Sequence, residues 1–205
     1  MNRLWPILFS FTYFCACINK PEVEVLNANQ LQISQDAFKV VYQKSDGGYL
    51  GLALFSDKHA FTSLKDSFPN SEKNFRLSPS SDIHDTESII SRTFHSDPKL
   101  SVSRSFLLKE NTLELNWHFK NTSQQTINGQ FRISLQLPVK AKIIKKTVST
   151  QVDLANGVRF QFEHSSRLGF KLNKQELIIF DKAHRAIQAS HRDSEKIRIH
   201  FALAK

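Results

Sequence analysis

The chain has 205 residues, and its 28 Lys and Arg against 19 Asp and Glu give a formal net charge of +9 at pH 7. Both cysteines, Cys15 and Cys17, stand near the N-terminus, so the sequence beyond them excludes a disulfide-stapled scaffold, a Cys-ligated metal site and a cysteine nucleophile. The basic residues are scattered, with no run longer than Lys145-Lys146, and this favours solubility beside an anionic membrane or glycan over nucleic-acid binding.

The first 17 residues predict a signal peptide. Arg3 is followed by a mostly apolar stretch from Leu4 to Ala16, which is the layout of a short n-region and an h-region. A transmembrane helix needs roughly 20 apolar residues, whereas this stretch is shorter and contains Pro6. We therefore expect a leader that directs export and is then removed.

The end of this leader resembles the bacterial lipobox, in which a small residue precedes a cysteine that is diacylated and becomes the new N-terminus. Ala16 and Cys17 fit the pattern, whereas Phe14 and Cys15 depart from it. The resemblance implies an exported cell-envelope lipoprotein, on the periplasmic or surface side, whose partner is the membrane through a lipid on Cys17. Ordinary signal-peptidase cleavage nearby and an uncleaved apolar tail are the alternatives.

The rest of the chain is interpreted as a tether over residues 18–29 and a single domain over residues 30–205. Period-2 alternation recurs through this domain and is clearest from Leu113 to Lys120. Turn signals such as Asn156-Gly157 separate about ten such strands, a spacing typical of sandwiches. The predicted fold class is therefore all-β, a large antiparallel β-sandwich with little helix.

Two stretches do not alternate. Residues 56–88 are rich in Ser, Asp, Asn, Lys and Pro and are interpreted as a long surface loop, and residues 181–195 as a short helix or a loop. Among the aromatic residues, Trp117 is expected in the core because it shares the apolar side of its strand. Tyr42 and Tyr49 flank the turn at residues 45–48 and are expected near a rim, where they could stack on a sugar.

Catalytic and metal-binding motifs are missing from the sequence. The eight histidines form no HxH, HxxxH or HExxH pair, and there is no GxSxG elbow, P-loop or GxGxxG. The sequence therefore predicts no metal, no cofactor and no nucleotide chemistry.

The outward-facing residues of the best strands are the candidate binding surface. If those strands share a sheet, their amides, carboxylates, guanidinium groups and imidazoles offer the paired donors and acceptors that sugar hydroxyls need. The candidate ligand-binding residues are His118, Arg132, Gln136, Arg159, Glu163 and His200. The alternative is that this surface is simply the solvated side of a sheet.

Residues 101–108, 113–123 and 131–137 form a series of elements similar to a stretch of galactose-mutarotase-like supersandwich domains. These domains include the aldose epimerases and the β-domains attached to several glycoside hydrolases. The resemblance covers roughly residues 90–140 and implies stacked antiparallel sheets with a sugar-binding sheet face. The catalytic His and Glu segments of the epimerases are not matched, since residues 117–121 only echo one of them.

The resemblance thus favours a non-catalytic, carbohydrate-binding-type domain over an active epimerase. Two alternatives stay open. One is a small carbohydrate-active enzyme that uses Glu163 with His118 or His200 for acid–base catalysis. The other is a structural or protein-interaction lipoprotein without a small ligand.

Overall fold

The computed structural model of the protein describes residues 21–44, 49–68, 76–77, 83–84, 88–95 and 100–204, the three short ranges by their backbone alone. The leader, Cys17 and the turn expected at residues 45–48 lie outside the described residues. Within the described residues there are twenty strands and no helix. They are β1 (Glu22–Asn27), β2 (Gln30–Gln35), β3 (Phe38–Gln43), β4 (Tyr49–Phe55), β5 (Lys58–Phe61), β6 (Ser63–Ser67), β7 (Arg76–Leu77), β8 (Ile83–His84), β9 (Ser88–His95), β10 (Leu100–Lys109), β11 (Thr112–Asn121), β12 (Ile127–Gly129), β13 (Arg132–Gln136), β14 (Ala141–Lys145), β15 (Ser149–Leu154), β16 (Val158–His164), β17 (Leu168–Asn173), β18 (Glu176–Asp181), β19 (Arg185–Ile187) and β20 (Arg192–Leu203).

The strands form two large antiparallel sheets. Sheet A has the order β1-β2-β3-β4-β6-β13-β18-β17, with β5 paired to β4. Sheet B has the order β14-β15-β16-β20-β11-β10-β9-β7, with β8 paired to β9. A small ribbon of β12 and β19 completes the described structure. This architecture confirms the all-β sandwich expected from the alternating sequence.

The core lies between the sheets, where their apolar faces meet. Phe38 of β3 packs on Phe201 of β20 with ring centroids 4.3 Å apart, and Trp117 of β11 packs edge-on against Phe131 at 5.1 Å. Trp117 is fully buried, as the sequence predicts. Each fully buried side chain of this size contributes about 1.5–3 kcal/mol, so the sheet-to-sheet contact is the main source of stability.

The segment at residues 56–88 contains strands where the sequence predicts a long surface loop. Its first part forms β5 and β6 of sheet A, and Ala60, Phe61 and Leu64 are buried there. The strands escape detection because each is at most five residues long and its few apolar positions stand among Ser, Lys and Asp. Strand pairing through the neighbouring β4 and β13, not local pattern, decides their structure.

Residues 181–195, expected as a helix or loop, contain β19 and the start of β20. Charged residues occupy inward positions here, since Arg185 and Glu195 are both buried. An alternation of apolar and polar residues therefore does not mark these strands in the sequence.

Two further expectations change in the structure. The stretch expected as a tether includes β1, which pairs with β2 at the edge of sheet A and is almost wholly exposed. Tyr42, expected near a rim, is fully buried on the inner face of β3, 5.8 Å from the Phe106 ring, whereas Tyr49 is half-buried.

A buried ion pair links the two sheets. Asp66 of β6 accepts hydrogen bonds from Arg104 Nε and from Trp117 Nε1, each at 2.6 Å, and the side chains of Asp66 and Arg104 are only 7% and 2% exposed. Asp66 belongs to sheet A, while its two donors stand on neighbouring strands of sheet B. The carboxylate therefore fixes where sheet A sits over β10 and β11.

Replacing Asp66 by Ala is expected to lower the free energy of unfolding by about 3–5 kcal/mol, because Arg104 would keep a buried charge without its carboxylate. Asp153→Ala is the matched control: its pair with Arg159 has the same 2.6 Å separation, but the two side chains are 26% and 38% exposed. Such exposed pairs contribute at most about 1 kcal/mol. Urea unfolding of both variants checks this, and equal losses would contradict the role assigned to Asp66.

Candidate functional site

The structure divides the six predicted ligand-binding residues between the two sheets. His118 on β11, Arg159 and Glu163 on β16 and His200 on β20 all point outward from sheet B. Arg132 and Gln136 point outward from sheet A, because β13 pairs with β6 and β18. These two residues lie on the opposite side of the sandwich and cannot share a site with the other four.

The outer face of sheet B carries a row of paired charges at its centre. Glu114 accepts hydrogen bonds from Lys196 at 2.6 Å, Arg198 at 2.9 Å and Asn116 at 3.2 Å. Partial burial raises the pKa of Glu114, but these three donors outweigh it and lower the pKa from its ordinary value of 4.5 to about 2. The carboxylate is thus ionised throughout the physiological range and stays bound to its cations.

Glu163 and His200 lie beside Glu114 and Arg198 on the same face. Glu163 Oε1 is 3.2 Å from His200 Nε2, in a contact that is not aligned as a hydrogen bond, and Glu163 Oε2 is 3.6 Å from Arg198. His200 Nδ1 lies 2.8 Å from the Thr112 hydroxyl. The structure therefore brings together two of the residues that sequence reasoning proposed for acid–base chemistry, and places His118 further along β11.

A depression of about 740 Å³ opens at the other end of the same face. This volume lies within the range of ligand sites in proteins. Its lining residues are Ser101, Ser103, His118, Phe119, Lys120, Thr122, Arg192, Asp193 and Ser194. They come from three adjacent strands, β10, β11 and β20, and from the residue that follows β11. His118 is the one predicted site residue that lines it.

Antiparallel register puts the basic residues of the depression close together. Lys120 stands directly opposite Arg192, and His118 directly opposite Ser194. Sequence reasoning identified Lys120 as outward-facing but omitted it from the site, and it assigned Arg192 to a helix or loop. The signal that could have found the pair is the strand register, which the sequence does not give.

Buried hydrogen bonds hold the end of β11 at the rim of this depression. Asn121 is fully buried, and its Nδ2 donates to the carbonyl oxygens of Gln125 and Ile187 at 2.7 and 2.9 Å. Its Oδ1 accepts from the Ser123 backbone N–H at 2.9 Å, an Asx turn that ends the strand. Strand β11 accordingly ends at Asn121, where this Asn-Thr-Ser run begins.

A buried arginine holds Asp193 at the other side of the rim. Arg185 Nη2 donates to Asp181 and Glu195, both at 2.8 Å, and its Nη1 donates to Asp193 at 3.2 Å. Burial lowers the pKa of Arg185, but the surrounding carboxylates outweigh it and raise the pKa above its ordinary value. Asp193 also accepts from Arg167 at 3.3 Å, so its charge is neutralised from the inner side.

Neither a metal centre nor a spanning helix is found in the part of the chain that the structure describes. No group of three His, Cys, Asp or Glu side chains there could hold a metal ion. No helix there is long and apolar enough to cross a membrane.

No protein-family model matches the chain, and no curated protein matches its sequence. Solved structures do match. A galactose mutarotase-related enzyme from Lactobacillus acidophilus superposes with a TM-score of 0.64 at 9% identity, over 86% of this chain and 98% of that one. A galactose mutarotase-like protein from Lactobacillus casei gives 0.65 at 5% identity, over 84% and 100%. A heparan sulfate lyase from Pedobacter heparinus gives 0.57 at 9% identity, over 90% of this chain and 37% of that one.

The chain therefore has the galactose mutarotase-like β-sandwich fold. This confirms the resemblance found in residues 90–140 and extends the likeness in fold to most of the chain. At identities this low the likeness concerns the fold, and the chemistry of this protein has to be argued from its own residues.

Glu114→Gln is expected to make stability less dependent on pH. Because the folded protein lowers the pKa of Glu114 to about 2, the carboxylate stabilises the fold above pH 4.5, and this contribution disappears as the pH falls towards 2. Above pH 5 the variant should therefore unfold at lower urea concentration than the wild type, and the difference should shrink as the pH falls from 4.5 towards 2. A difference that is constant with pH would contradict the assigned pairing.

Proposed function

We propose that the protein is an exported, lipid-anchored envelope protein whose β-sandwich binds carbohydrate on the outer face of sheet B without catalysing a reaction. The depression of about 740 Å³ between β10, β11 and β20 carries this proposal, because it is the size of a ligand site and lies on a sheet face rich in polar side chains. Neighbours of the same fold are named for galactose mutarotase and heparan sulfate lyase, and carbohydrate binding fits both names.

The polar groups of this face suit sugar hydroxyls. Ser101 and Ser103 supply hydroxyl groups, His118 an imidazole and Arg192 a guanidinium group along the depression. Each of these groups donates to or accepts from a hydroxyl, and their spacing on adjacent strands, about 5 Å, resembles the spacing of hydroxyls along a sugar chain.

Charge pairing on this face favours binding over catalysis. A general acid or base works best with a pKa near the operating pH, whereas three donors lower the pKa of Glu114 to about 2. Asp153 is held in the same way. Burial raises its pKa, but hydrogen bonds from Arg159 and Gln151 outweigh this effect and lower the pKa below its ordinary value. Carboxylates held in this way orient neighbouring donors but do not exchange protons at neutral pH.

A triple variant of sheet B tests the binding site. His118→Ala, Ser101→Ala and Ser103→Ala together should weaken binding to an envelope-glycan array by more than about tenfold, since each residue would lose a hydrogen bond of roughly 0.5–1.5 kcal/mol to the ligand. The control is Arg132→Ala with Gln136→Ala, two exposed residues on sheet A, which should bind like the wild type. Loss in the control alone, or no loss in the triple variant, would refute the location.

The contact between Glu163 and His200 supports a second candidate, a small carbohydrate-active enzyme of epimerase type. At 3.2 Å the two groups are near enough for one bound sugar hydroxyl to contact both and to carry a proton between them. Such an enzyme would accelerate the interconversion of α- and β-galactose, followed by NMR, and Glu163→Gln would abolish the acceleration. The binding proposal expects no acceleration by either protein.

Lipidation of Cys17 is the proposed means of attachment to the membrane. Mass spectrometry of the mature N-terminus should find a diacylglycerol on Cys17, and Cys17→Ser should release the protein from the membrane fraction, because the acyl chains supply the membrane affinity. Cys15→Ser is the matched control and should stay anchored. An unmodified N-terminus on a secreted protein would leave export in place and remove the anchor.

A further inference from the structure

The depression on sheet B has an excess of positive charge. Lys120 and Arg192 occupy directly opposite positions of β11 and β20 and point to the same side of the sheet. Like charges in opposite positions destabilise a sheet unless a counter-charge lies between them. Among the described residues no carboxylate forms an ion pair with either side chain, and both are exposed to solvent.

The acidic residue that lines the depression does not supply that counter-charge. Asp193 is bound by Arg185 at 3.2 Å and by Arg167 at 3.3 Å. Arg185 is itself buried among three carboxylates and is held in place by them. Asp193 is thus neutralised within the protein, and the charge of Lys120 and Arg192 remains for a ligand.

The centre of the same sheet face differs in its charges. There the cations Lys196 and Arg198 both contact Glu114, and Arg198 also faces Glu163. Every cation of this central row therefore has a carboxylate from the protein itself. The contrast along β11 and β20 concentrates in the depression positive charge that no described carboxylate pairs, next to the hydroxyls of Ser101, Ser103 and Ser194.

We propose that the carbohydrate bound here is anionic, a saccharide whose carboxylate or sulfate group binds between Lys120 and Arg192 while Ser101, Ser103 and His118 bind its hydroxyls. Lys and Arg form charge-assisted hydrogen bonds to anionic groups that are about twice as strong as neutral ones. The inference rests on the proposed carbohydrate-binding function and adds the chemical class of the ligand.

Three saccharide probes test it by titration calorimetry on the full-length protein at about 0.15 M ionic strength, where exposed charges are largely screened. The probes are an oligogalacturonate, a heparin oligosaccharide and the carboxyl-reduced oligogalacturonate, which has the same chain without charge. At least one acidic probe should bind more than tenfold more tightly than the reduced one. Binding of the oligogalacturonate shows that a carboxylate is sufficient, and binding of the heparin oligosaccharide alone, which carries both groups, shows that sulfate is required.

Two double variants distinguish binding at this site from general attraction by the protein's net positive charge. The double variant Lys120→Ala with Arg192→Ala should bind the acidic probe more than about tenfold more weakly than the wild type does. Its affinity for the reduced probe should be unchanged. Lys39→Ala with Lys171→Ala removes the same charge from exposed positions on sheet A and should have no effect. Lys120→Arg, which keeps the charge, should retain binding.

The outcomes distinguish this inference from the function on which it rests. Tight binding of the reduced probe, unaffected by the Lys120 and Arg192 substitutions, would overturn the anionic class and leave carbohydrate binding in place. Equal losses in both double variants would overturn the site, because binding would then follow net charge. No binding of any saccharide would overturn both.

Discussion

Contact between the apolar faces of the two sheets is the constraint on which the whole structure depends. The chain has no cysteine after residue 17, so no disulfide holds the sheets together, and each sheet has one face that must be removed from water. Phenylalanines supply much of this contact, with Phe38 against Phe201 and Phe131 against Trp117 as examples. The outer faces can then carry polar side chains. The polar binding surface is possible because the apolar inner faces are buried against each other.

Apolar contact alone does not fix how one sheet lies over the other. Two buried groups of charged side chains fix this position. Asp66 reaches from sheet A to Arg104 and Trp117 of sheet B, and hydrogen bonds require more specific geometry than apolar packing. Arg185 forms the second group with Asp181 and Glu195. Both groups are fully paired, so neither leaves an isolated charge in the interior, which would cost several kcal/mol.

The outer face of sheet B is organised by the same two strands that build the core. On β11 and β20, each inward residue alternates with an outward one, so the register that packs the core also sets the positions of the charges outside. At the centre of the face, Glu114 neutralises its cations. Towards the end, Lys120 and Arg192 face each other without a carboxylate from the described chain. A single register thus produces a neutral centre and a positive depression.

The sequence by itself determined the elements whose information is local. Alternation predicts β11, β16 and β20 and buries Trp117, and the Asn156-Gly157 turn appears where expected, with a φ of 85° at Gly157 that favours glycine. Tertiary structure alone decided which strands are neighbours. It separates Arg132 and Gln136 from His118, because β13 joins sheet A, and it brings Arg192 to Lys120. It also makes strands of residues 181–195, where buried charges replace the apolar residues that mark a strand. Partners of this kind are distant in the chain, so no local pattern can specify them.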